Sequence, residues 1–74
     1  MPRLKFSHTP LTRVVAMFNA HGAVSLVLGD EASGALKVSG TLRADDPESL
    51  FRLLHAEVGL IAERRDGTWL LRKR

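Results

Sequence analysis

The chain of 74 residues contains no cysteine, and tryptophan occurs only once. Without cysteine, neither disulfides nor thiolate metal ligands can stabilise a domain this small, so its stability must come from one packed core. Long apolar runs are also missing, because the longest uncharged stretch, 14–28, is broken by Asn19, His21 and Gly22 and is too short to span a bilayer. Residues 1–7 have no apolar region of the kind that a signal peptide needs.

Composition and charge are those of a soluble globular domain, with 45% apolar and 26% charged residues. The net charge of +3 lies at one end: residues 1–62 hold six basic and six acidic side chains, whereas 63–74 hold five basic and two acidic. A nucleic-acid-binding face typically interleaves basic and aromatic residues, and Trp69 is the only aromatic residue in this basic segment. We therefore expect a solvated basic hairpin, and a small basic nucleic-acid-binding domain remains the less favoured alternative.

Groups that could carry catalysis are few. The three histidines are far apart in the sequence and no pair has the spacing of a helical zinc site. No serine lies in a nucleophile-elbow motif, and no glycine-rich phosphate loop is present. We expect no catalytic residue, no cofactor and no metal, and hence a protein that is not an enzyme.

The adjacent carboxylates Asp45 and Asp46 are better explained as the start of a helix than as a reactive pair. Pro47 suits the first helical position, which makes Asp46 the N-cap residue. A catalytic pair would need a second functional group, and a calcium or magnesium site would need more oxygen ligands at a recognisable spacing. The sequence offers neither, so we predict a helix that ends at Gly59 and buries an apolar stripe of Leu50, Leu53, Leu54 and Val58.

An earlier segment has the same organisation. Thr9 is the predicted N-cap residue, Pro10 the first helical residue and Gly22 the left-handed residue that ends the helix. The apolar positions follow the i, i+3, i+4, i+7 rule and are Leu11, Val14, Val15 and Phe18. Each helix follows a short strand and precedes another, which is an approximate internal duplication of a β-α-β unit.

Alternating apolar residues predict the strands. Residues 4–7, 24–28 and 36–43 show this period of two, and the stretch "DEASG" between the last two reads as a loop. Near the C-terminus, Asp66–Gly67 predicts a hairpin with a two-residue type I′ turn. The register that this turn sets gives the hairpin two faces. The predicted core face holds Leu60, Ala62, Trp69 and Leu71, and the other holds Ile61, Glu63, Leu70 and Arg72.

Two stretches, "FSHTPLTRVVAMFNAHGAVSLVLGD" and "LKVSGTLRADDPESLFRLLHAEVGLIAERRDGTWLL", together resemble the C-terminal periplasmic domain of FecR-like anti-sigma regulators. That domain belongs with the secretin and TonB short N-terminal (STN) domains. The resemblance covers about Lys5 to Leu71, and its most specific part is "VSGTLRADDPESLFRLL". It implies an α+β fold of duplicated β-α-β units, with two helices between two small sheets, as a single domain over residues 1–74. We expect 4–7 to pair with 36–43, and 24–28 to join the hairpin.

The resemblance also implies a function. FecR-like regulators combine a cytoplasmic part that holds an extracytoplasmic-function sigma factor, one transmembrane helix and a periplasmic region that ends in this domain. The chain would then be a fragment of a membrane-anchored regulator, located in the periplasm, whose only membrane contact is a helix outside this sequence. Its expected partners are the N-terminal signalling domain of a TonB-dependent outer-membrane transducer, commonly a ferric-siderophore receptor, and the neighbouring periplasmic segment. The alternative within this group is a signalling domain of a transducer or secretin.

Two surfaces are candidates for partner contact. The first is the edge of the strand 24–28, which could accept a partner strand through its main chain and contains Val24, Leu26 and Leu28. The second is the outward face of the hairpin, where apolar residues flank an arginine: Ile61, Leu70 and Arg72. A structural alternative is that these aliphatic side chains contact the neighbouring segment of the regulator or are simply exposed.

Overall fold

The computed structural model describes residues 3–22 and 24–73, and within them the chain forms five strands and three helices. In chain order these are β1 (Arg3–Pro10), α1 (Leu11–His21), β2 (Leu26–Leu28), α2 (Glu31–Gly34), β3 (Lys37–Arg43), α3 (Pro47–Val58), β4 (Leu60–Arg65) and β5 (Thr68–Lys73). β1 pairs antiparallel with β3; the second sheet has the order β2-β5-β4, with β2 parallel and β4 antiparallel to β5. Helices α1 and α3 contact both sheets and lie between them. The predicted α+β class and the predicted strand partners are confirmed.

The core lies where the two helices meet the inner faces of both sheets. Most of its buried residues are the apolar positions predicted for the helices and for the inner face of the strands: Leu11, Val14, Val15, Phe18, Leu26, Val38, Leu50, Leu54, Leu60 and Leu71. Phe6 joins them, with its ring 6.3 Å from that of Phe18. Trp69 does not, because it is only half-buried at one side of the core. Its position matters for the surface described below.

The predicted start of the first helix is wrong by one residue. Pro10 has φ −59° and ψ 140°, so it occupies the N-cap position in an extended conformation, and α1 begins at Leu11. Thr9 still belongs to β1, where it lies opposite Val38, and its hydroxyl accepts a hydrogen bond from the Ser7 N–H instead of capping the helix. The cause is non-local: β1 continues to pair with β3 as far as Pro10, which lies opposite Lys37, so both Thr9 and Pro10 stay extended.

The other predicted helix ends are confirmed in position. Gly22 and Gly59 follow α1 and α3 with φ of 87° and 71°, a left-handed conformation that only glycine adopts at little cost. Pro47 is the first residue of α3 and Asp46 is its N-cap residue. The Asp46 carboxylate makes no capping bond to a backbone N–H; the Ser49 hydroxyl donates to it at 2.7 Å. This hydrogen bond holds the pKa of Asp46 below its ordinary value.

The stretch "DEASG", predicted as a loop, contains a short helix. Asp30 is the N-cap residue of α2, and its Oδ1 accepts the Ser33 N–H at 2.7 Å. That bond to a backbone donor is the main reason why the pKa of Asp30 is lowered. A helix of four residues is too short to show a helical period, so the capping residue was the only sequence signal for it.

Candidate protein-interaction surface

The hairpin register places one set of side chains on the side of the β2-β5-β4 sheet that faces away from the helices. Asp66 and Gly67 both have positive φ, as a type I′ turn requires, and β4 pairs with β5 in the predicted register. Leu26, Leu60 and Leu71 point into the core, so their strand neighbours point outward. We call these neighbours the outer sheet face: Val27, Ile61, Glu63, Leu70 and Arg72.

Three aliphatic side chains form the apolar part of the outer sheet face. Val27 lies beside Leu70 in the parallel pairing, and Ile61 lies across from Arg72 in the hairpin. Val27 is 48% exposed, and it is the most exposed large apolar residue in the described part of the chain. Ile61 and Leu70 are half-buried by their neighbours on the sheet. Because Glu63 lies opposite Leu70, the three aliphatic residues form an apolar strip that runs diagonally across the strands, from Val27 through Leu70 to Ile61.

Charge on the outer sheet face is organised around one carboxylate. Glu63 Oε2 lies 3.1 Å from Arg65 Nη2 and 3.4 Å from Arg72 Nε. The three side chains remain substantially exposed, so these ion pairs add little to the free energy of unfolding. Their effect is geometric: they hold two guanidinium groups beside the apolar strip and leave a net positive charge there.

The edge of β2, the other predicted contact surface, is closed at its first residue, Leu26. The Leu26 N–H donates to Asn19 Oδ1 at 2.7 Å, and Asn19 Nδ2 donates to the Leu26 carbonyl at 3.0 Å. A carboxamide thus takes the main-chain donor and the main-chain acceptor that Leu26 would offer to an added strand. The expectation of a free edge is wrong at Leu26, whose side chain is also buried. Sequence reasoning missed Asn19 because a contact between a helix and the following strand leaves no periodic signal.

The predicted extent of the β2 edge also changes. The strand covers only Leu26–Leu28, so Val24 lies outside it. Val24 and Leu28 are both partly buried and pack against the core. The residue of β2 that reaches solvent is Val27, which sequence reasoning could have found, because it alternates with the inward Leu26 and Leu28.

Removal of the Asn19 carboxamide should destabilise the fold measurably. Asn19→Ala leaves the Leu26 N–H and carbonyl without partners, and two lost hydrogen bonds correspond to about 1–3 kcal/mol. Asn19→Asp is the matched variant, because it retains an acceptor for the Leu26 N–H but loses the donor to the Leu26 carbonyl. Its free energy of unfolding should lie between those of the parent chain and Asn19→Ala. Urea unfolding followed by Trp69 fluorescence measures both. An Asn19→Ala variant as stable as the parent chain would show that the carboxamide does not hold β2.

The paired carboxylates have structural partners. Arg43 donates to both oxygens of Asp45, at 3.2 Å each, while Asp46 accepts the Ser49 hydroxyl. Among residues 3–22 and 24–73, histidine, aspartate and glutamate nowhere form a group of three that could hold a metal ion. None of the helices described is both long and apolar enough to cross a membrane.

Comparison with known proteins identifies the fold. Two crystal structures resemble it, at 2.50 and 1.65 Å resolution, each described as a "putative anti-sigma factor" from Parabacteroides distasonis ATCC 8503. They superpose with TM-scores of 0.82 and 0.84 at 17% sequence identity, over 97% of this chain. The chain spans 34% of each of those proteins, about a third of their length. No protein-family model matches the sequence, and no curated protein matches it. At this identity the likeness shows the fold alone.

Proposed function

We propose that this chain is the periplasmic partner-binding domain of a FecR-like anti-sigma regulator. In this role it binds the N-terminal signalling domain of a TonB-dependent transducer and relays the state of the transducer toward an extracytoplasmic-function sigma factor. The sequence resemblance supports the regulator class, and the fold shared with two structures described as anti-sigma factors supports it coarsely. Coverage of a third of their length agrees with one domain of a larger regulator.

The observation that carries the proposal is the outer sheet face. It combines a strip of aliphatic side chains with the guanidinium groups of Arg65 and Arg72, which is the composition of many protein interfaces. Arginine is enriched among the few interface residues that contribute most of the binding free energy. The face belongs to a rigid sheet, so a partner meets it without ordering a loop first.

Nucleic-acid binding is less well supported by the same side chains. The Arg64 guanidinium lies over the Trp69 ring at 5.3 Å, and Arg65 and Arg72 flank Glu63. Single-stranded nucleic acids stack their bases on exposed aromatic rings beside free cations. Here the ring of Trp69 is covered by Arg64 on one side and lies 5.0 Å from the ring of Phe51. The basic hairpin thus lacks an open stacking platform among the described residues.

The direct test changes the apolar strip without changing the fold. Val27→Thr combined with Leu70→Thr places strand-compatible polar residues on the outer sheet face and leaves the core untouched. We expect at least about tenfold weaker binding to the signalling domain of the cognate transducer, because full burial of a valine or leucine side chain in a complex contributes about 1.5–3 kcal/mol. Isothermal titration calorimetry measures the change in Kd.

The matched control places threonine on the other sheet. Lys5 and Lys37 are exposed strand residues of β1 and β3, and their replacement by threonine should leave the Kd unchanged. Thermal unfolding of both double variants checks that each is folded. Unchanged affinity in a well-folded Val27→Thr, Leu70→Thr variant would exclude the outer sheet face as the contact surface.

A further inference from the structure

The edge of β4 is the open edge of the β2-β5-β4 sheet. β4 pairs only with β5 in the part of the chain that the structure describes. Arg65 and Thr68 flank the two-residue turn and exchange hydrogen bonds, and such pairs alternate along an antiparallel ladder. The N–H and carbonyl groups of Leu60, Ala62 and Arg64 therefore point away from β5. They form a row of main-chain donors and acceptors that a further strand could use.

A groove of about 310 Å³ runs along this edge, between β4 and α3. We call it the β4–α3 groove. Phe51 of α3 and Trp69 of β5 lie on its walls with their rings 5.0 Å apart, and Leu60 and Ala62 lie on its β4 side. An added strand would thus find hydrogen-bonding groups and an apolar pocket together. An edge strand beside a helix is a recurrent arrangement for binding extended peptides.

Charge around the groove is positive. Arg52 of α3 lines it beside the polar ring of His55, and its lining contains no carboxylate among the described residues. Arg64 continues the β4 side, with its guanidinium held over the Trp69 ring. Glu63, the acidic residue of β4, points to the opposite face and is flanked there by Arg65 and Arg72. A second copy of this chain would bring the same cationic side chains to the groove, so charge favours an acidic partner.

We propose that the β4–α3 groove binds an extended, acidic segment of a partner protein as a fourth strand, antiparallel to β4. Apolar side chains of this segment lie opposite Leu60 and Ala62 and contact Phe51 and Trp69. A carboxylate two residues further along lies opposite Arg64, as favourable cross-strand pairs do. The proposal deepens the proposed function and rests on it in one respect, that this domain acts by binding another protein.

A short synthetic peptide tests the proposal without the natural partner. The probe is acetyl-Glu-Thr-Val-Thr-Val-Thr-Glu-amide, whose glutamates and valines share one face of a strand. Trp69 is the only tryptophan of the chain and lines the groove, so its emission reports occupancy at that place. We expect a saturable change in emission. A peptide with lysine in place of both glutamates should bind at least about fivefold more weakly, since like charges would then meet at the groove.

N-methylation separates strand addition from simple apolar contact. In an antiparallel pairing the valine N–H groups face β4, so methylating both of them should abolish binding, whereas methylating the threonines should not. The reverse pattern would overturn the antiparallel orientation and show that the strand adds parallel to β4. Equal binding of both methylated peptides, or no emission change with the parent peptide, would overturn the proposal.

Two variants of the chain complete the test. Ala62→Pro removes an N–H that points away from β5, so the hairpin keeps its ladder while the edge loses a donor, and binding should fall below detection. Arg64→Gln leaves the backbone intact and should weaken binding of the glutamate peptide about two- to fivefold. It should strengthen binding of the lysine peptide, because it removes one of the like charges that meet there. Unchanged affinity in either folded variant contradicts the assignment.

Failure of the groove proposal can be distinguished from failure of the proposed function. If the transducer signalling domain binds the parent chain but the peptide does not, the groove assignment fails and the regulator role stands. If the peptide binds as expected and the signalling domain does not, the groove is a binding site and the choice of partner fails. A homodimer in analytical ultracentrifugation that dissociates in Ala62→Pro would overturn the proposal in favour of a second copy at this edge.

Discussion

Phe18→Ala should remove about 3–5 kcal/mol from the free energy of unfolding, the range measured for buried aromatic residues. The Phe18 side chain is completely buried between the sheets and stacks on Phe6. A domain of this length has a total stability of about 4–11 kcal/mol, so the loss is a large share of it and unfolds the variant if the parent chain lies at the lower end of that range. Thermal or urea unfolding followed by circular dichroism measures the loss.

The control for Phe18 is the same substitution at a half-buried ring. Phe51 belongs to α3, which lies between the sheets beside α1, and its ring contacts Trp69, but its side chain is only half-buried. Phe51→Ala should therefore cost clearly less than Phe18→Ala. Phe18→Leu keeps most of the side-chain volume and should leave a measurable folded population. A cooperatively folded Phe18→Ala variant with the stability of the parent chain would show that α1 packs in another register.

Leu71→Ala should cost about 2–5 kcal/mol, whereas Leu70→Ala, one residue away, should cost about 1 kcal/mol or less. Leu71 is buried at the centre of the β2-β5-β4 sheet, between Leu28 and Ala62 in register. Leu70 points to the outer sheet face. The difference between the two variants reports directly which face of β5 meets the core.

The variants Leu71→Ala and Leu70→Ala together test the register of the hairpin. A slip of one residue would exchange the two faces of β5, and Leu70→Ala would then be the more destabilising change. Equal losses would mean that both faces are covered. Urea unfolding curves of the two variants decide among these outcomes, provided that the unfolding free energy depends on urea concentration with the same slope in both.

Local signals account for what the sequence predicted correctly. Glycines at φ above zero end both long helices, and Asp66–Gly67 sets a hairpin register that no distant contact overrides. Period-two alternation located the inner faces of the strands. These features depend on neighbours within a few residues, which is why one sequence suffices to predict them.

The wrong predictions have two kinds of cause: contacts between residues that are distant in the sequence, and an element too short to leave a sequence signal. Thr9 stays in β1 because pairing with β3 continues to Pro10, and a lone sequence does not show where a pairing stops. Helix α2 has only four residues, little more than one turn, so no apolar period can repeat within it. Trp69 is half-buried because β4, its neighbour on one side, is the edge strand beside the groove. The Asn19–Leu26 contact depends on how α1 crosses β2, which is a property of tertiary packing.

The candidate surface was predicted in part. Strand parity placed Ile61, Leu70 and Arg72 on one face, and the structure adds Val27 from β2 through the parallel pairing with β5. The parallel orientation has no signature in these short strands, so the apolar strip across the sheet was visible only in the fold. The bridging position of Glu63 between two arginines likewise follows from side-chain geometry.

Amide chemical shifts of the isotopically labelled chain, recorded while the transducer signalling domain is added, test the central claim most directly. That claim is that this domain receives a protein signal through its β2-β5-β4 sheet. We predict saturable shift changes concentrated on β2, β4 and β5, with Val27 and Leu70 among them, and little change along β1. Changes confined to the β1–β3 sheet would contradict the assigned surface, and the absence of any change at saturating partner would contradict the proposed role itself.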